Sequence, residues 1–144
     1  MKGPREHALG LLAKADHDLV AANATLPTGD AFDTVCFHAQ QAVEKCLKAL
    51  LALKDIEYPR RHDLGELLAL AKPHYPNLCP LEDAILELAP YAVEVRYDDE
   101  ITPGAEDARP ALDTALAVRA LAARILASVG EQPHAPAPEE WSGN

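Results

Sequence analysis

The chain has 144 residues, of which 49% are hydrophobic and only 5% aromatic, and a formal net charge of −10. That length suffices for one domain with a single core, and a chain rich in Ala and Leu favours helices over strands. The negative charge excludes broad electrostatic binding to nucleic acid, and no apolar run approaches the ~20 residues of a membrane span, so a cytoplasmic protein is expected.

The opening Met1-Lys2-Gly3-Pro4-Arg5-Glu6-His7 has no continuous apolar segment behind it, so no signal peptide is expected. The first helix is predicted from Pro4 into the low twenties, because Ala8, Leu12, Ala15, Leu19 and Ala22 repeat at the +4, +3 spacing of one buried stripe. Leu26-Pro27-Thr28-Gly29-Asp30 ends it, with Asp30 the expected cap of the next helix.

The second helix, from Asp30 to Lys54, is the longest predicted. Cys36, Ala39, Val43, Cys46, Leu47, Leu50 and Leu53 form its apolar side. His38, Gln41, Glu44, Lys45 and Lys48 share the opposite, solvent-facing arc with Phe37, which suggests that a second subunit or another protein covers this face. Gln41 to Lys45 and Glu44 to Lys48 are i,i+4 pairs. Tyr58-Pro59 stops the element, since proline disfavours helix at the residue before it.

A third, short helix is predicted near Asp63, carrying Leu64, Leu67, Leu68 and Leu70. Asp63 is a good N-cap there, although Arg61-His62-Asp63 could also receive an anion at the helix start. Pro80 suits the first turn of a fourth helix through Leu81, Ala84, Ile85 and Leu88, kinked at Pro90 and continued by Ala92 and Val95. Tyr97 to Arg109 reads as a charged loop. A fifth helix is predicted from about Pro110 to Gly130, with Ala115, Val118, Ala122, Ile125 and Val129 on one face. The expected fold is all-α, an up-and-down four-helix bundle with one additional short helix over residues 1–130. The Pro-rich remainder, 131–144, is expected to be a mobile tail in which Trp141 could anchor to a partner.

Cys36, Cys46 and Cys79 lack metal-ligand spacing, and the first two lie too far apart on one helix for a disulfide, so all three read as reduced core thiols. Residues 36–62 form a basic island, with Lys45, Lys48, Lys54, Arg60 and Arg61 against Glu44, Asp55 and Glu57. It suits a phosphate or an acidic partner, or is an ordinary solvated face. Asp98, Asp99 and Glu100 could hold Mg²⁺, though consecutive loop acids are more often simply solvated.

Four blocks carry a family resemblance. Ala15, Asp18, Leu19 and Ala22 match A-x-x-D-L-x-x-A; Phe37, Ala39, Gln40, Gln41, Ala42, Glu44, Lys45, Leu47 and Lys48 match F-x-A-Q-Q-A-x-E-K-x-L-K. His62, Asp63, Leu64, Leu67 and Leu68 match H-D-L-x-x-L-L, and Arg96 with Tyr97 matches a following R-Y. In this order the chain resembles the short prokaryotic form of the HEPN domain family (higher eukaryotes and prokaryotes nucleotide-binding).

The resemblance implies a helical bundle, often a homodimer, that acts beside a separate minimal nucleotidyltransferase in a toxin–antitoxin-like pair. No cofactor is required under this reading, although a nucleotide with Mg²⁺ could bind. Under this reading Lys45, Lys48, Arg61 and Arg96 supply charge to phosphates, Gln41 and Tyr97 contact base or sugar, Glu44 holds Lys48, and His62 joins the ligand site. Ribonuclease relatives carry Arg, a spacer of four to six residues and His, a pairing suited to binding phosphate and moving a proton. No Arg in this chain has a His at that distance, and Asp98 stands where many short relatives have Pro. Catalysis is therefore not expected of the chain alone. The competing readings are an RNase toxin, bound to RNA, that pairs Arg96 with His62 or His38, and a purely structural dimerisation module.

Overall fold

The structure, a computed structural model, describes residues 3–92 and 102–131. Among them every regular element is helical. Helix α1 spans Pro4–Thr25, α2 Phe32–Leu53, α3 Leu64–Ala71, α4 Glu82–Leu86 and α5 Ala105–Glu131.

α1 buries the five residues of the predicted stripe, together with Asp18. After a 3-10 turn over Leu26–Thr28 and Gly29 in the left-handed region (φ 73°), the chain reverses. α2 runs back along α1: His38 and Lys45 reach Asp18, while Tyr58, just beyond α2, reaches His7. Asp30 does not cap α2. The N-cap is Ala31, itself left-handed at φ 54° and without a side-chain cap bond, and the Asp30 carboxylate accepts instead from the N–H of Ala31.

α2 is the central helix, with 13 of its 22 residues buried against six in α1. The expectation of one apolar and one solvent-facing side therefore fails. Gln40 and Glu44 are as buried as Val43 and Leu47, because α1 covers one flank of the polar arc and the start of α3 covers the other. Leu53, expected in the core, is only partly buried.

The end of α2 is set before Tyr58-Pro59. Asp55 takes a left-handed conformation (φ 58°), and its N–H bonds the carbonyl of Ala52 while that of Ile56 bonds Leu51. These paired bonds form a Schellman stop, closed by Ile56 packing on the core.

Asp63 caps α3 as expected, its carboxylate accepting from the N–H of Glu66 at 3.1 Å. The predicted fourth helix breaks into a 3-10 turn over Pro76–Leu81, the five-residue α4, and another turn over Ala89–Tyr91. Pro76, Pro80 and Pro90 remove donors too often for one continuous helix. This segment nonetheless makes the return: the Tyr75 hydroxyl donates to the Leu50 carbonyl near the end of α2, and Tyr91 lies near Cys36 at its start.

α5 begins at Ala105, ahead of the expected Pro110, which sits inside it. Glu106 and Asp107 favour the positive end of the helix, and Asp107 accepts from the Gly104 N–H at 3.0 Å. α5 runs in the direction of α2, with Asp107 near Cys36 and Arg119 near Cys46. Ala115, Val118 and Ala122 are buried as expected, joined by Ala108, Ala111, Leu112 and Leu121. Cys36 and Cys46 are buried free thiols, but Cys79 is exposed, which corrects the expectation of three core cysteines. No described helix is long and apolar enough to cross a membrane.

Candidate functional site

The polar residues of α2 converge on two buried carboxylates. Asp18 of α1 is 8% exposed and accepts from Nδ1 of His38 at 2.8 Å and from the Lys45 ammonium. Glu44 is 2% exposed and accepts from Lys48 at 2.9 Å, from Nδ1 of His62 at 2.9 Å and from the Gln40 amide at 3.2 Å. Each carboxylate thus sits between one lysine and one histidine. A carboxylate can only accept, so each imidazole carries its proton on Nδ1 and keeps Nε2 as its second site. Phe37, beside this seam, packs edge-on against the ring of His38.

An open groove of about 850 Å³ lies at the end of this seam. Gly3, Pro4, His7 and Leu11 of the α1 end form one wall, Lys48 and Ala52 the floor, and Asp55 to Tyr58 with Arg60 the other wall. The Schellman stop folds that second wall back against the helix. His7 Nε2 and the Tyr58 hydroxyl are 3.0 Å apart, and the two rings are parallel within 1° with centroids 6.4 Å apart. So wide a centroid separation with so short an edge contact means that the rings lie side by side. Lys48 Nζ is 5.7 Å from the Tyr58 ring centre while also bonded to Glu44. Burial pushes the Tyr58 phenol above its usual range, with Arg60 acting against it, so the hydroxyl stays protonated.

Of the residues singled out from sequence, the structure brings Glu44, Lys48 and His62 into one hydrogen-bonded cluster. The Gln41 amide donates to Gln40 at 2.7 Å and so extends that cluster; the expected Gln41–Lys45 pair gives way to Lys45–Asp18. Arg61 turns outward and grips Glu66 at 2.6 Å, away from the groove. Arg96 and Tyr97 lie outside the described residues, as do Asp98, Asp99, Glu100 and Trp141. No group of three His, Cys, Asp or Glu among the described residues is placed to hold a metal ion.

Sequence reasoning missed the part played by Asp18, although an acid inside the stripe Ala15, Leu19, Ala22 was a signal that a buried partner must exist. It also missed His7 and Tyr58 of the groove, which share no helical periodicity and carried no such signal; Arg60, by contrast, belongs to the basic island visible in the sequence. Arg119 with Asp16 (2.7 Å), which ties α5 to α1, was likewise unseen.

No curated protein and no solved structure matches this chain. The family model of the HEPN domain matches residues 8–126, which takes in most of α1, both buried carboxylates and most of α5. By that match the chain belongs to the HEPN domain family.

Proposed function

We propose that this protein is a nucleotide- or substrate-binding module that acts as a homodimer with a separate minimal nucleotidyltransferase in a toxin–antitoxin-like pair, and is not itself catalytic. Its scaffold in this reading is an up-and-down bundle in which residues 64–92 take the place of a fourth long helix. Family membership supports a nucleotide-related role. The observation that carries the reading is Lys48, a residue of the HEPN-like block, held by buried Glu44 at the floor of an open groove. A lysine fixed by a buried carboxylate needs little further ordering when a ligand arrives, which is the advantage of a preorganised site.

Titration calorimetry of the full chain with ATP, GTP and a short single-stranded RNA, each with and without Mg²⁺, tests it. Saturable heat at micromolar ligand, weakened by Lys48→Ala, is expected. Silence with every ligand would remove the nucleotide role and leave the nucleotidyltransferase partnership, to be sought by co-purification, as the remaining content.

A second reading has one observation in its favour. His38 and His62 each turn Nδ1 to a carboxylate, the arrangement that orients an imidazole for proton transfer. A metal-independent RNase would use them with Arg96. Cleavage of a labelled single-stranded RNA in EDTA, lost in His62→Ala, would favour that reading over the binding module.

A further inference from the structure

We propose that the groove between the start of α1 and residues 55–60 is a site for a single nucleotide, its base lying on the paired rings of His7 and Tyr58 and its phosphate meeting Arg60 and Lys48. This rests on the nucleotide-binding reading above and adds to it a place, a ligand size and residues outside the HEPN-like blocks.

Three features point the same way. First, the His7 and Tyr58 rings line the groove parallel and side by side, joined between Nε2 and the phenol. Aromatic faces bind bases without regard to sequence, by stacking. Second, the cations are of two kinds. Lys48 is already engaged by Glu44, whereas Arg60 makes no ion pair or hydrogen bond among the described residues and is exposed beside Tyr58. A planar guanidinium without a partner is suited to a phosphate's paired oxygens.

Third, the groove's charge limits the ligand. Asp55 and Glu57 on the same wall offset Lys48 and Arg60. Counting His as neutral, the lining carries no excess positive charge, and the whole chain is at −10. A polynucleotide, whose binding depends on neutralising many phosphates, gains little from such a surface. One phosphate gains from Arg60, while the two carboxylates can accept from ribose hydroxyls. The volume, about 850 Å³, falls within the range usual for small-ligand sites.

The test is calorimetry of the full chain with AMP, ATP and a ten-nucleotide oligouridine, repeated on Tyr58→Leu, Tyr58→Phe and Arg60→Ala, with thermal melts to confirm that each variant is folded. The wild type is expected to bind AMP or ATP more tightly than the oligonucleotide. Tyr58→Leu should weaken it about tenfold, the scale of losing one stacked base. Tyr58→Phe, which keeps the ring, should lose less. Arg60→Ala alters an exposed side chain with no ion pair or hydrogen bond among the described residues, so it reports on the site even where Tyr58→Leu fails to fold; about tenfold weakening is expected from a lost charge-assisted bond. Nucleotide binding untouched by both Tyr58→Leu and Arg60→Ala would overturn this site and leave the binding-module reading standing. Preference for the oligonucleotide would overturn the single-nucleotide assignment. No binding of any probe by the wild type would overturn site and nucleotide reading together.

Discussion

The carboxylates inside the bundle and those on its rim make ion pairs with the same side-chain chemistry, yet their surroundings differ. Asp18 and Glu44 lie under neighbouring helices and each receives two cationic or imidazole donors. Glu66, Glu82 and Asp16 receive Arg61, Lys72 and Arg119 on the outside, each carboxylate at least a third exposed. Water screens the outer pairs and competes for both partners, so forming or losing them changes stability little. In the seam the cost of desolvation has already been incurred, and every donor removed leaves charge stranded. The seam residues are therefore tied to one another's identity in a way the rim residues are not.

Removing one member of the inner set is the most severe way to test this. Glu44→Ala leaves Lys48 and His62 without their acceptor and opens a small void between α2 and α3. A loss of about 3–5 kcal/mol is expected in urea unfolding. Replacing the charge and its partner together, Glu44→Leu with Lys48→Met, should cost clearly less than Glu44→Ala alone, because no lysine is then left unpaired. A double variant less stable than the single one would mean that shape, not charge, governs the seam.

The cysteines repeat the contrast between interior and rim with a reactivity readout. Burial pushes the thiols of Cys36 and Cys46 up to about 12, and nearby Asp107 and Asp33 act in the same direction on Cys36. Cys79 is exposed. A thiol reagent at neutral pH should modify Cys79 rapidly in the native protein and all three residues only in denaturant. A raised folded pKa also fixes the sign of the alkaline effect. The unfolded thiols ionise near 9 and the folded ones near 12, so stability is full below pH 9 and falls as pH rises between those values. A melting temperature that climbs over that interval would contradict the burial of both thiols.

On the rim, Arg119→Ala should cost at most about 1 kcal/mol, since its partner Asp16 is half-exposed. Part of even that loss will be the packing of the arginine stem along α5 and α1. A loss as large as that of Glu44→Ala would erase the distinction between the two regions.

The helices were legible where apolar residues recur at helical spacing. The α1 stripe from Ala8 to Ala22 and the face of α5 through Ala122 are buried as their periodicity requires. The second helix misled because periodicity reports which residues are apolar, not which are covered. Glu44 looks like a surface residue until His62 arrives, as His38 and Lys45 do until they meet Asp18, and those meetings span 18 or more positions of chain. The segment around Pro80 failed for a different reason: spacing at Leu81, Ala84, Ile85 and Leu88 is helical, but the prolines interrupt the hydrogen bonds that would join it. The groove was the least legible part. Its rings come from the first turns of α1 and from an irregular connection, so their adjacency is a product of the α1–α2 packing alone.

The smallest expected effect probes the backbone at the two ends of α2. Ala31 and Asp55 both occupy the left-handed region, at φ 54° and 58°. There the methyl of alanine crowds the backbone at a cost of about 1–2 kcal/mol, whereas asparagine and aspartate tolerate the region better. Glycine removes that strain but gives the unfolded chain more freedom, which takes back about 0.5–1 kcal/mol. Ala31→Gly should therefore stabilise the protein by about 0.5–1 kcal/mol, and Asp55→Gly by less. The ordering matters more than the size. Ala31 is exposed and its side chain makes no cap hydrogen bond, so chemical denaturation of the two variants reads chiefly the strain. A loss of stability in Ala31→Gly would mean that the left-handed conformation at the entry to α2 costs less than the freedom that glycine adds to the unfolded chain.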